Sequence, residues 1–538
     1  MRFPLVTASY KVDGATGNGQ ELPPGWATTL LSEVAQINPS LDRCIINEGV
    51  QVTFVPMRAV EPEGGGIVRP EVRTYGEVKK GFTSFLFLAK ITPCMENGKT
   101  TVVPEVPGQV CFGSTEFHVI RLEEGVQARW VAQFLLQHEI RRAAQRQMTG
   151  GVGQMRVPAT FLQAVGIPLA PSAEQERIAD ALDELFSDLD AGVAALKRVW
   201  EKLKLYRASV LKAAVEGALT AEWRQQHPDT EPASELLERI LAERRRRWEE
   251  DEVAKFKAKG QEPPKNWKVK YKEPVACDTT DLPPLPEGWG WVSFDQIGDT
   301  QGGLQKSPTR APSKNHYPYL RVANVHRGSL DLSELHRFEL SEDELKRLRL
   351  EPGDILIVEG NGSRTEIGRS ALWRGEVANC VHQNHIIRVR PLVGLSPKYV
   401  DIFLNSPTGQ MAIQRVASST SGLYTLSISK IEKLPLTLAP TTEQDIIIEA
   451  VEDQLSVIDH LEADLDVKLK SVQVLRQAIL HHAFTGRLVP QDANDEPAAE
   501  ILKRIAAERE SRARETGRKP GGARNRRRRA SSGGRLPA

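Results

Sequence analysis

The 538-residue sequence is short of the features that mark most secreted, membrane and catalytic proteins. Cysteine is scarce. Cys44, Cys94, Cys111, Cys277 and Cys380 are odd in number, far apart and outside any CxxC or CxxH pattern. Such spacing argues against a disulfide framework and against structural zinc, and fits reduced thiols in a cytoplasmic protein. No stretch approaches the ~20 apolar residues of a membrane span. Behind Met1-Arg2-Phe3-Pro4-Leu5-Val6 there is no long apolar run, so no signal peptide is expected. Net charge is nearly absent at +1, from 71 Lys and Arg against 70 Asp and Glu. Composition alone therefore neither demands nor excludes a nucleic-acid partner.

Catalytic signatures are missing too. Asn38-Pro39-Ser40 is not the Asn/Asp-Pro-Pro-aromatic motif of an adenine methyltransferase. GGVGQ (150–154) lacks the GK[ST] ending of a phosphate loop. Asp354 and Glu359 in GDILIVEG have no following lysine at nuclease spacing, and no helicase motor signature occurs. His382 and His385 show no carboxylate or cysteine partner in the sequence. The chain is expected to hold no active site, metal or cofactor of its own.

What the sequence does hold is a repeat whose period is half its length. PLAPSAEQERI from Pro168 corresponds to TLAPTTEQDII from Thr437, and Pro171 to Pro440, an offset of 440 − 171 = 269. LPPGW ending at Trp26 and LPEGW ending at Trp289 lie 263 apart. VEGAL (215–219) falls on FTGRL (484–488) at 269, and EPASELLERILAER (231–244) on EPAAEILKRIAAER (496–509) at 265. Four landmarks in one order indicate a tandem duplication, with units too long for a solenoid.

After Pro171 the pattern is helical, with Ser172 as N-cap and Glu174 and Glu176 suiting the first turn. Apolar residues recur at seven: Leu182, Leu189, Leu196, Leu203 and Val210. A second row runs Ile178, Leu185, Val199, Tyr206 and Ala213, broken by Gly192. Val451, Ile458, Leu465, Val472 and Ile479 repeat the first row at 269. Each helix should run about 40 residues, on the order of 60 Å, and end near Gly217 or Gly486. Two equal seams in one chain are expected to pair antiparallel, as a pseudo-two-fold coiled coil. Segments 231–250 and 496–514 are again helical, with Arg244–Arg247 as a solvated face.

The segments before each helix are less helical. Strand-like QVTFV (51–55), SFLFLAKI (84–91) and FHVIRL (117–122) mark the first; YPYLRVANV (317–325), GDILIVEG (353–360) and NHIIRVR (384–390) mark the second. The expected fold is two mixed α/β (α+β) heads plus long helices. Its parts are an N-terminal segment (1–21), head 1 (22–170), a helical region (171–250), a linker rich in Lys, Pro and Glu (251–284), head 2 (285–438), a second helical region (439–514) and a basic, disordered tail (515–538). The heads match each other poorly in sequence, so their targets should differ. Polar stretches at 146–156, 302–306, 361–364 and 418–424 carry the side chains that reach base edges and phosphates. The candidate DNA contacts are Lys79, Lys80, Lys99, Arg146, Gln147, Gln154, Arg156, Gln305, Lys306, Asn361, Arg364, Ser418, Ser419, Thr420 and Tyr424.

Together, the Gly25-Trp26 and Gly288-Trp289 pairs, the two LAP…EQ helix starts, TGRL (485–488), FVPM (54–57), KITPCMENGK (90–99), GSTEF (113–117), PYLRVANV (318–325) and PGDIL (352–356) resemble the specificity subunits of type I restriction–modification systems over about 22–510. The sequence departs from that pattern at Phe85-Leu86-Phe87-Leu88, where a Gly-Asp turn is common. The resemblance implies two target recognition domains, each reading one half of a split site in double-stranded DNA. It implies paired helices that space the halves and dock two modification subunits, which methylate extruded adenine with S-adenosylmethionine. Restriction and motor subunits would add ATP and Mg. The basic tail, with Arg526–Arg529, reads as a solvated appendage; the alternative is nonspecific phosphate affinity, in which case its deletion should flatten the salt dependence. The other readings of the sequence are a coiled-coil scaffold with protein-binding heads and a stand-alone nuclease.

Overall fold

The computed structural model describes residues 22–39, 49–75, 86–103, 111–420 and 422–515. Cys44, Lys79, Lys80, Phe85 and the arginines of the tail lie outside them. Two compact units are present. Unit 1 joins residues up to Leu196 with those from Val467; unit 2 is Lys197–Asp466. Both boundaries fall inside long helices, Ser172–Val215 and Thr441–Phe484, of 44 residues each. Among the described residues no helix is long and apolar enough to cross a membrane.

In unit 1 the head is built on a four-stranded sheet of order Ala35–Ile37, Phe117–Leu122, Leu86–Ala89, Thr100–Val102. Beside it lies a three-stranded sheet, Glu71–Thr74, Gln51–Val55, Cys111–Gly113, whose last pair is parallel. Unit 2 repeats both. Gly298–Gly302, Ile386–Pro391, Ile355–Val358 and Ser370–Leu372 form the larger sheet. His336–Glu339, His316–Leu320 and Val381–His382 form the smaller, again with a parallel last pair. The heads thus share one topology despite their poor sequence match. Backbone hydrogen bonds and a buried apolar register specify the sheet, and the exposed residues between strands are free to differ. Leu86–Ala89, where the family pattern is broken, is a fully buried central strand in the place of Ile355–Val358.

The recurring landmarks turn out to be the joints between head and helix. The Trp26 indole donates to buried Glu174 at 2.9 Å, and that of Trp289 to Glu443 at 2.8 Å. Gln175 Nε2 reaches the Ala170 carbonyl at 2.8 Å, and its Oε1 accepts from Gln127 N at 2.9 Å. Gln444 makes the same two bonds, to Ala439 and Ser396, 269 positions on. The Glu-Gln pair is therefore a staple, with Glu174 and Glu443 also lying in the first turn of their helices. Ser172 is already inside the helix and does not cap it; the Pro171 carbonyl accepts from Gln175 N at 2.9 Å. Gly217 and Gly486 follow the helix ends with φ of 76° and 67°, conformations that strain other residues.

Within each unit the two long helices pack in opposite directions. In unit 1, Ile178, Leu182 and Phe186 share a core with Leu480, Ala483 and Phe484. In unit 2, Val210, Leu211 and Ala214 share one with Ile447, Ile448 and Val451. All ten residues of the first apolar row are buried or half-buried, each fully buried one contributing roughly 1.5–3 kcal/mol. Ion pairs mark the register: Arg476 reaches Asp190 at 2.5 Å, and Arg207 reaches Asp459. These are one pair repeated at 269. Exposed pairs contribute only ~0–1 kcal/mol, so the apolar seam supplies the stability. The second row is a correction. Ile178 is buried, but Leu185, Val199 and Tyr206 are 37%, 45% and 53% exposed. A two-helix contact has room for little more than one row, and Phe186 turns inward beside it.

The trailing helices close the units. Ala498–Glu515 lies on head 1, where Arg509 binds the Ser32 and Ala35 carbonyls and Glu123. Ala233–Ala258, longer than the sequence indicated, lies on head 2, where Arg244 binds the Asp295 and Gly298 carbonyls and the Asp295 carboxylate. Arg244 is thus an anchor, while Arg245, Arg246 and Arg247 are exposed as expected.

On the helix Pro397–Asn405, Asp401 accepts a hydrogen bond from Asn405 at 2.9 Å, and burial pushes its carboxyl up to about 7 against the opposing pull of Arg374. Protonated Asp401 favours the fold. That contribution is complete below the unfolded value of ~3.9 and lost as pH rises through the folded value. Asp401→Asn should raise the melting temperature at about pH 8 by several degrees and leave it unchanged near pH 4. Equal shifts at both would refute the assignment.

Candidate nucleic-acid interface

Head 2 gathers five of the sequence candidates on one small sheet. Gly360–Asn361 pairs with Leu423–Thr425, which pairs with Ser418–Thr420. Asn361, Ser418, Ser419, Thr420 and Tyr424 therefore share adjoining strands. Ser418 and Ser419 are exposed, Tyr424 is half-buried, and Lys430 hydrogen-bonds the Ser418 hydroxyl. Arg364 is exposed on the loop beyond Asn361, whose Oδ1 accepts from Ser363 N at 2.8 Å. Gln305 and Lys306 are exposed after Leu304, which bonds the His382 carbonyl at 2.9 Å. Burial lowers His382 to about 4, and its Nδ1 faces the Ile386 carbonyl at 2.9 Å. His385 does have a carboxylate neighbour, Glu359 at 3.3 Å, that the sequence left unseen. Asp354 is buried and bound by Arg390 at 2.6 and 2.8 Å.

Head 1 presents a hairpin in the same place. Thr149 pairs with Arg156, and Ile91 with Arg156. Ser418 pairs with Thr425, and Gly360 with Thr425, each 269 positions later. Val157 N bonds the Lys90 carbonyl and Leu426 N the Glu359 carbonyl, both at 2.8 Å. Gly153 and Gly422 turn the two hairpins with φ of 79° and 81°, a conformation glycine adopts freely. The tips expose apolar side chains: Val152 fully and Leu423 by 47%.

The head 1 candidates separate by their partners. Arg146, at the end of the helix His138–Arg146, and Gln154 are exposed, while Gln147 is half-buried. Arg156 is engaged internally, with Glu116 at 2.9 and 3.0 Å and the Gln154 carbonyl at 2.9 Å, and it holds the Glu116 carboxyl below its usual range. Lys99 donates to the Met57 carbonyl at 3.1 Å. These two shape the loop from within. Lys79 and Lys80 lie outside the described residues.

No family model matches the chain. It is 28% identical over 501 residues to the type I restriction enzyme EcoEI specificity subunit of Escherichia coli, a match covering 83% of this chain and 80% of that one. The EcoKI specificity subunit of Escherichia coli strain K12 is 28% identical over 440 residues, covering 78% and 82%. Both relatives are type I specificity subunits, and the chain is similar to them over most of its length. A chain solved in work on complex assembly and conformational transition of the type I restriction–modification system has the same fold, with a TM-score of 0.59 at 18% identity, over 87% of this chain and 100% of that one.

One residue equivalent to a candidate contact escaped the sequence reading. Arg415, exposed near the end of the helix Pro407–Val416, stands 269 positions after Arg146 and precedes the second hairpin as Arg146 precedes the first. The offset of the long helices, carried into the heads, was the signal.

Proposed function

We propose that the chain is a type I specificity subunit, each of whose heads reads one half of a bipartite DNA site through its hairpin, 149–156 or 418–425. The observation that carries this reading is that the hairpins keep backbone register while their side chains differ: Gln154 against Leu423, Met155 against Tyr424. Shared residues suit the uniform DNA backbone, and differing residues suit distinct bases. Arg146 and Arg415 belong to the first class. Gln154, Met155, Leu423 and Tyr424 belong to the second, with Asn361, Arg364, Gln305 and Lys306 beside them in head 2.

The long helices would dock two modification subunits. Leu205 and Tyr206 are 72% and 53% exposed in unit 2; Val474 and Leu475, 269 positions on, are 71% and 48% exposed in unit 1. Exposed apolar pairs in duplicate suit two copies of one partner. Those partners would bring S-adenosylmethionine for adenine-N6 methylation, and motor–nuclease subunits would bring ATP and Mg.

Purifying the chain with its modification subunits and mapping methylated adenines should return a split asymmetric motif; methylation without sequence dependence would defeat the proposal. Arg146→Ala and Arg415→Ala should each weaken binding alike for all sequences and lower the salt slope by about 0.9. A change of motif in either variant would place that arginine on a base instead.

A further inference from the structure

Residues 253–272 hold seven lysines and one acidic residue, Glu262, an excess of six positive charges in a chain whose net charge is +1. The sequence reads as a linker here, but in the structure this segment is a strap. The helix Ala233–Ala258 ends inside it, and the chain turns back so that Trp267 and Tyr271 lie against Trp248, with ring centroids 5.6 and 5.3 Å apart. Arg245 lies over the Tyr271 ring at 5.5 Å. Val275 N then bonds Asp295 at 2.9 Å, tying the strap to head 2.

All seven lysines are exposed. Lys255 and Lys268 are paired, with Glu252 and Glu249 at 2.7 Å. Lys257, Lys259, Lys265, Lys270 and Lys272 make no ion pair among the described residues. Of the acids on the supporting helix, Glu243 is held by Arg246 and Arg247 and Glu250 by Arg246, while Asp251 flanks the lysines without an ion pair among the described residues. Five free ammonium groups on an aromatic-braced ridge repel one another and stabilise nothing inside the unit. Their field suits a polyanion, and their fixed support lowers the entropy lost on binding it. Lysine binds phosphate as a point charge, without the bidentate geometry by which arginine reads a base.

We propose that this strap grips the phosphates of duplex DNA outside the recognition sequence, independently of base sequence. The proposal rests on the DNA-reading role proposed above. It is tested with the full chain in complex with its modification subunits, comparing wild type with a variant carrying Gln at Lys257, Lys259, Lys265, Lys270 and Lys272. The probes are duplexes of ~20 and ~60 base pairs centred on the motif the wild-type complex methylates, titrated against salt. On the long duplex the slope of log K against log salt should fall by up to about 4.5, at ~0.9 per phosphate released. The methylated motif should not change. Identical slopes on the long duplex would overturn the proposal, as would weakened binding to RNA or acidic protein with duplex binding intact. If the wild-type complex methylates without sequence preference, the reading role fails, and the strap is still judged by the slope on a long duplex of arbitrary sequence.

Discussion

Replacing 22–170 with the first head of another specificity subunit is expected to change one half of the methylated motif and leave the other half intact. The reason lies in the joints. Head 1 is fastened to its long helix by Trp26, Gln127, Glu174 and Gln175, and the equivalent groups fasten head 2. A foreign head that brings its own Gly-Trp and meets the retained Glu-Gln finds the same bonds. Base contacts travel with the hairpin, so the altered half-site should be recognised as strongly as a mismatch normally counts against binding, about 1–3 kcal/mol per base pair. Mapping methylated adenines on random-sequence DNA reads the result. A change in both halves, or in neither, would show that the heads do not read independently.

Glu443→Ala should be among the most damaging single changes to stability. The Glu443 side chain is fully buried and accepts from the Trp289 indole, from Thr220 at 2.6 Å and from Arg224. Its removal leaves the half-buried Arg224 guanidinium with only the Gly217 carbonyl and the Thr220 hydroxyl, and the cost should approach the ~3–5 kcal/mol of a broken buried ion pair. Its counterpart Glu174 accepts from the Trp26 indole but has no cation in contact among the described residues, and the nearby Arg177 binds Asp495 instead. Burial accordingly raises the Glu174 carboxyl above its ordinary value. Glu174→Ala should cost only what one buried hydrogen bond carries, about 1–3 kcal/mol. Thermal unfolding of the two variants should show the larger loss in Glu443→Ala. Equal losses would mean that the Arg224 contact adds nothing.

Much of this was legible in the sequence because periodicity and landmark spacing are read along the chain. The row from Leu182 to Val210, its copy from Val451 to Ile479, and strands such as Gln51–Val55 and Phe117–Leu122 lie where the pattern put them. The strand order and register that the two α/β heads share were not legible, since a sheet is specified by which residues face inward and not by their identity. Nor could Lys99 and Arg156 be recognised as internal braces. Their residue type suits DNA, and only the positions of the Met57 carbonyl and Glu116 reveal their engagement. Leu185, Val199 and Tyr206 kept heptad spacing without a second surface among the described residues to cover them.

Asp190 and Arg207 lie on one long helix, Asp459 and Arg476 on the other, and each pair is completed across to the opposite helix. Either helix alone therefore carries both the lock and the key of the contact. A gene half this length, encoding one head, one long helix and one trailing helix, would specify a self-complementary protein. Two copies would supply to each other what the ends of this chain supply to its first head. Such a dimer would present identical heads and, on the reading proposed above, would address a symmetric DNA sequence. With both halves in one reading frame, the heads are free to differ.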